Sequence, residues 1–100
     1  MAANRGGIPP ITLQQIRDTV DIVDVVSRYV TLSKTGQNFR GLCPFHNEKT
    51  PSFTVNASRQ MYYCFGCGKG GDVFSFLMNR ERMNFVEAVQ ELAQQVNIEI

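Results

Sequence analysis

The only histidine and the only three cysteines of this 100-residue chain fall into two pairs of identical spacing. Cys43 and His46 frame C-P-F-H, Cys64 and Cys67 frame C-F-G-C, and seventeen residues lie between the pairs. Thiolate and imidazole are ligands that zinc prefers, and a structural site asks only that four of them be arranged tetrahedrally. Two short turns offering two ligands each meet that demand. Pro44 fixes φ just after the first ligand and lowers the entropy cost of bringing His46 round. Gly66 and Gly68 can take positive φ and let backbone N–H groups turn toward sulfur. The reading is one structural zinc held by Cys43, His46, Cys64 and Cys67. A thiol-redox C-x-x-C, or a buried structural cysteine pair, would leave the second turn and the single histidine unexplained. A catalytic zinc would need an open position, and four candidate ligands leave none.

Elements on either side must present those turns. Residues 1–10 carry paired glycines and paired prolines and read as a flexible lead-in. Thr12 with Gln15 forms a capping box that opens a helix bearing Leu13, Ile16 and Val20 on one face. The period breaks near Thr19, and Asp21 caps a second short helix bearing Ile22, Val25, Val26 and Tyr29. From Val30 the period shifts toward two. Residues 30–34 and 38–42 flank Thr35-Gly36-Gln37 as a hairpin, with Gly36 supplying the unusual φ. Residues 52–56 turn Phe53 and Val55 inward, and residues 60–64 return after Ala57-Ser58-Arg59. After a loop at Lys69-Gly70-Gly71, Asp72 caps a helix bearing Val73, Phe76 and Leu77. Asn84 and Glu87 form a second capping box before the stripe Val86, Val89, Leu92, Ala93 and Val96, which Asn97 stops. The expected class is α+β: a zinc ribbon with a small antiparallel sheet, two knuckles, and short helices at both ends. Residues 11–100 form one zinc-binding unit, and the apolar end Ile98-Glu99-Ile100 looks like a cut within a longer protein.

A domain this small buries only about two thirds of its unfolded surface, so a metal centre matters to its folding. No apolar run approaches the roughly 20 residues of a membrane span, and no signal-peptide core is present. Cysteines committed to metal point to a reducing cytoplasm. The formal charge of +1 conceals a pattern: residues 28–71 carry Arg28, Lys34, Arg40, Lys49, Arg59 and Lys69 against Glu48 alone, net +5, between two acidic flanks. A basic zinc sheet is an electrostatic footprint for a polyanion. One sheet face is needed for the core. The other is free to present Lys34, Asn38, Arg40, Thr54, Arg59 and one of Tyr62 or Tyr63, a mixture of rings and cations suited to single-stranded nucleic acid. Duplex readout by a ββα finger would need a helix between His46 and Cys64, and none is indicated there.

Gly41 to Val55 (G-L-C-P-F-H-N-E-K-T-P-S-F-T-V) and Gln60 to Leu77 (Q-M-Y-Y-C-F-G-C-G-K-G-G-D-V-F-S-F-L) resemble the N-terminal zinc-binding domain of bacterial DnaG-type primases. Asp21 to Val26 and Phe85 to Ala93 resemble it too, so the likeness runs from Ile11 to the end. It implies a parent enzyme, a nucleotidyltransferase and DNA-directed RNA polymerase, that makes RNA primers at the bacterial replication fork. This domain would bind template and help select the start sequence. The resemblance implies that a separate, Mg²⁺-dependent domain joins ribonucleotides, so this fragment alone is not expected to be catalytic. Implied partners are single-stranded DNA, the catalytic domain of the same or a neighbouring chain, and a replicative helicase through other regions. Implied template contacts are Lys34, Arg40, Lys49, Arg59, Tyr62, Tyr63 and Lys69. Ser33 and Gln37 stand where relatives often carry a cation, which weakens that hairpin's expected phosphate grip. The competing reading is a protein-docking ribbon whose mark would be an apolar patch from Phe39, Met61 or Phe65.

Overall fold

The computed structural model describes residues 8–47 and 49–100. Helix α1 (Pro10–Thr19) begins earlier than the capping-box reading expects: Pro10 stands in its first turn, Pro9 is its N-cap, and no side chain caps it. Proline suits that place because its φ is already helical and its missing N–H would be unsatisfied there anyway. Thr12 is therefore inside the helix and buried. Of the expected lead-in, residues 1–7 lie outside the described residues, while Ile8 belongs to the core at 2% exposure. Helix α2 (Ile22–Ser27) is capped as its sequence indicates, the Asp21 carboxylate accepting from Val23 N–H. Gln60 strengthens that cap from across the molecule. Its Oε1 accepts from Ile22 N–H at 2.7 Å and its Nε2 donates to Asp21 at 3.2 Å.

The sheet is a five-stranded antiparallel meander in sequence order: β1 (Ser33–Thr35), β2 (Asn38–Gly41), β3 (Phe53–Asn56), β4 (Met61–Cys64) and β5 (Gly70–Gly71). Strand β1 starts three residues later than its pattern suggests, because Tyr29 and Val30 still donate to Val26 as an end to α2. Thr35 pairs with Asn38, so the first hairpin turns through Gly36 and Gln37 with Gly36 at φ +63°. The expected loop at residues 70–71 is instead an edge strand beside Tyr62 and Tyr63. Two glycines carry no strand signal in their side chains, and here the backbone alone makes the pairing.

Helix α3 (Val73–Arg80) starts on the Asp72 side chain, which accepts from Ser75 N–H. Helix α4 (Phe85–Gln95) has the full reciprocal capping box of Asn84 and Glu87. It ends in a Schellman arrangement, with Asn97 at φ +58° and Ile98 N–H donating to the Ala93 carbonyl at 2.9 Å. Phe53, Val55, Tyr62 and Cys64 alternate onto one sheet face and join Phe76, Leu77, Val89, Leu92, Ile16, Ile22 and Val26 in a single core. Its centre is aromatic: the Phe53 and Tyr62 rings stack at 5.5 Å, and Phe76 meets Tyr62 edge-on at 5.5 Å. Such pairs add about 0.5–1.5 kcal/mol each beyond area burial.

Candidate metal centre and nucleic-acid interface

Strands β2 and β4 finish at the same end of the sheet, on either side of Phe53 in β3, and from there the two knuckles project. Gly41 is needed at the exit of β2: a Cβ there would lie 2.6 Å from the Thr31 carbonyl oxygen and 2.8 Å from a Val30 methyl. The ligand atoms of Cys43, His46, Cys64 and Cys67 all lie within 4.8 Å of one another. Cys43 and Cys67 sulfurs are 3.8 Å apart, against about 3.8 Å for the edge of a tetrahedron with Zn–S bonds of about 2.3 Å. The donor set and its spacing fit one zinc ion. Each knuckle also turns backbone N–H groups onto sulfur, Phe45 onto Cys43 at 3.4 Å and Gly66 onto Cys64 at 3.3 Å.

The two buried thiols respond differently to their surroundings. Burial pushes Cys43 up to about 12, with the neighbouring thiols adding to it. At Cys64 burial also opposes ionisation, but donation from the Cys67 backbone, the Ser52 hydroxyl and the Gly66 backbone outweighs it and holds the thiol below its ordinary value. Bound zinc would keep all three sulfurs as thiolates and cross-link the two strand ends.

The strand register assigns each expected template contact to a side. Arg40 pairs with Thr54, and Thr54 with Tyr63, so these share the outer face with Asn38, Asn56 and Met61. Tyr63 is 45% exposed and meets Phe65 edge-on at 4.9 Å. Asn38, Thr54, Arg59, Met61, Tyr63 and Phe65 line an open groove of about 580 Å³ whose floor includes Gly70. A Cβ on Gly70 would lie 2.8 Å from the Tyr63 ring, so glycine keeps that ring uncovered.

Three expected contacts are elsewhere. Tyr62 is 2% exposed, its ring in the core and its hydroxyl accepting from Asn79 Nδ2 at 3.2 Å, which removes it as a base platform. Lys34 pairs with Phe39, which packs on the core, so its side chain leaves the sheet opposite Arg40. Lys69 lies beyond the start of β5, where its carbonyl accepts from Cys64 N–H and its ammonium sits 6.0 Å over the Phe45 ring. Lys49 is exposed on the loop before β3. Phe39 likewise packs on the core and leaves the proposed docking patch. Sequence reasoning did not place Phe65 beside Tyr63, because it follows the last strand residue and strand parity no longer applies to it.

Fold and ligand set together define a zinc ribbon of the C-x2-H, C-x2-C kind. The CHC2 zinc finger family model matches residues 8–100, and the chain belongs to that family. It is 50% identical over 95 residues to the DNA primase of Escherichia coli K12 and 54% identical over 91 residues to that of Halalkalibacterium halodurans. These matches cover 95% and 91% of this chain but 16% and 15% of the relatives, so it spans about a sixth of their length. The crystal structure of the Aquifex aeolicus primase zinc-binding and RNA polymerase domains superposes with a TM-score of 0.85 at 44% identity, covering 89% of this chain and 22% of that one. No helix among the described residues is long and apolar enough to cross a membrane.

Proposed function

We propose that this chain is the template-binding module of a DNA primase, holding single-stranded DNA against the outer face of its zinc-stiffened sheet. The parent enzyme joins ribonucleotides into primers in a domain elsewhere, with Mg²⁺, in the cytoplasm. This module serves the catalytic domain of its own or a neighbouring chain, and a replicative helicase is engaged through other regions. The observation that carries the reading is the outer groove, where the Tyr63 and Phe65 rings and Arg59 line one hollow and Arg40 lies on the same sheet face two strands from Tyr63, across Thr54. Bases stack on such rings for about 1–3 kcal/mol each, while cations meet the phosphates. Asn38, Asn56 and Thr54 add hydrogen-bonding groups along the same track. A second reading, protein docking, draws on the exposure of Phe65 at 71% and Met61 at 45% in the same groove.

Titrating the zinc-loaded chain with a short single-stranded oligonucleotide, followed residue by residue by NMR, tests both. Shifts are expected at Arg40, Thr54, Arg59, Tyr63 and Phe65, with affinity falling as salt rises at a log–log slope of about −0.7 per phosphate contact. Arg40→Gln should weaken all sequences alike, Tyr63→Ala should cost about 1–3 kcal/mol, and Lys34→Gln should change little. Salt-independent binding, or shifts confined to α1 and α4, would overturn the reading in favour of docking.

A further inference from the structure

The first knuckle and the turn between α3 and α4 enclose a second pocket, of about 340 Å³, lined by Pro44, Phe45, Lys69, Asn79, Arg80 and Arg82. Three basic residues line it with no carboxylate among the lining residues described, although Arg82 also borders the adjoining hollow that holds Glu81, Glu87 and Glu91. Arg80 keeps one contact with its neighbour Glu81, at 3.5 Å. Lys69 and Arg82 make no ion pair among the described residues.

The cations are also positioned. The Arg80 guanidinium lies 5.0 Å over the Tyr29 ring, and the Lys69 ammonium lies 6.0 Å over that of Phe45. Arg82 has φ +56°, the left-handed region that glycine or asparagine enters at least cost. A long cationic residue kept there in a two-helix turn is a strained choice, and such strain concentrates at ligand clamps. Like charges gathered in one pocket repel until an anion joins them. Guanidinium forks and an ammonium give phosphate oxygens charge-assisted hydrogen bonds, the stronger kind.

We propose that this pocket is a phosphate site that takes the polyphosphate chain of a nucleoside triphosphate. Several charges on one compact ligand match three cations around one small cavity, whereas a nucleic-acid strand spreads one charge per nucleotide along its length. The position of Lys69, level with Cys64 on the core side of the sheet, also sets the pocket apart from the outer groove. The site therefore stands or falls independently of template binding.

The test is an NMR titration of the zinc-loaded full chain with ATP, and in parallel with a thymidine octamer lacking terminal phosphates. ATP should shift Lys69, Asn79, Arg80 and Arg82 saturably. Lys69→Gln and Arg82→Gln should each weaken it about three- to tenfold, the range of one partly exposed charge-assisted contact, with Lys34→Gln as the unaffected control. Arg82→Gly separates binding from folding: relief of the left-handed strain should leave its melting temperature no lower, while ATP affinity still falls. Zinc content and a dispersed spectrum show that each variant is folded. The proposal is overturned if millimolar ATP leaves these residues unmoved, if the octamer shifts them as strongly at equal phosphate concentration, or if Lys34→Gln weakens ATP as much as Arg82→Gln does.

Discussion

A methyl group added at Gly66 would fall 2.9 Å from both His46 Nε2 and Ser52 Oγ. Neither neighbour can retreat freely, since His46 is committed to the metal cluster and Ser52 Oγ approaches the Cys64 sulfur at 3.7 Å. We predict that Gly66→Ala lowers zinc affinity about tenfold, the scale of disturbed support around metal ligands, as measured by competition with a chromophoric chelator. Unchanged affinity would mean that the histidine is not oriented through this contact. The tyrosines show the same dependence on single side chains. Adjacent in sequence, they differ from 2% to 45% exposure, because strand alternation sends one ring into the Phe53–Phe76 cluster and the other into the groove. Their opposition is a matter of sequence alone. Which of them faces solvent depends on where α3 packs.

Among the elements, the two helix starts read as capping boxes had different outcomes. Asn84 and Glu87 make both reciprocal hydrogen bonds, at 2.8 and 2.9 Å. Asn84→Ala should therefore cost about 1 kcal/mol, visible as a lowered melting temperature with zinc content intact. A melt identical to that of the parent would show that α4 is held by packing alone. Thr12 and Gln15 offer a similar local signal, yet the extended Pro9 is the N-cap and Pro10, with its φ preset for a helix, opens α1 two residues before Thr12. Local hydrogen-bonding potential identified both candidates, but only the surrounding chain decided which was used. Strand β5 was illegible for a related reason: Gly70 and Gly71 have no side chains to alternate, and their strand character exists only through pairing with β4.

For the whole molecule, Cys43 and Cys64 belong at once to the metal cluster and to the hydrophobic core. Zinc binding in such sites is worth about 10–16 kcal/mol, comparable to the roughly 5–15 kcal/mol total stability of a domain. Removing the metal with a strong chelator should abolish the cooperative melt and collapse the NMR dispersion of β2–β4. It should also take the outer groove with it, since Tyr63 is positioned by those strands. A chelated protein that melts unchanged would contradict a structural role for zinc.

The sequence alone pointed to the four residues of the metal cluster, the order of the helices and of the first four strands, and the residues that share a parity along each of those strands. These follow from spacing, capping chemistry and a side-chain period of two, all local properties of the chain. Tertiary structure decided the partition of the basic residues: Arg40 and Arg59 toward the outer groove, Lys34 to the opposite side of the sheet, and Lys69 with Arg80 and Arg82 beside the first knuckle. A strand's pattern is symmetric between its two faces. That symmetry is broken only when distant helices cover one of them.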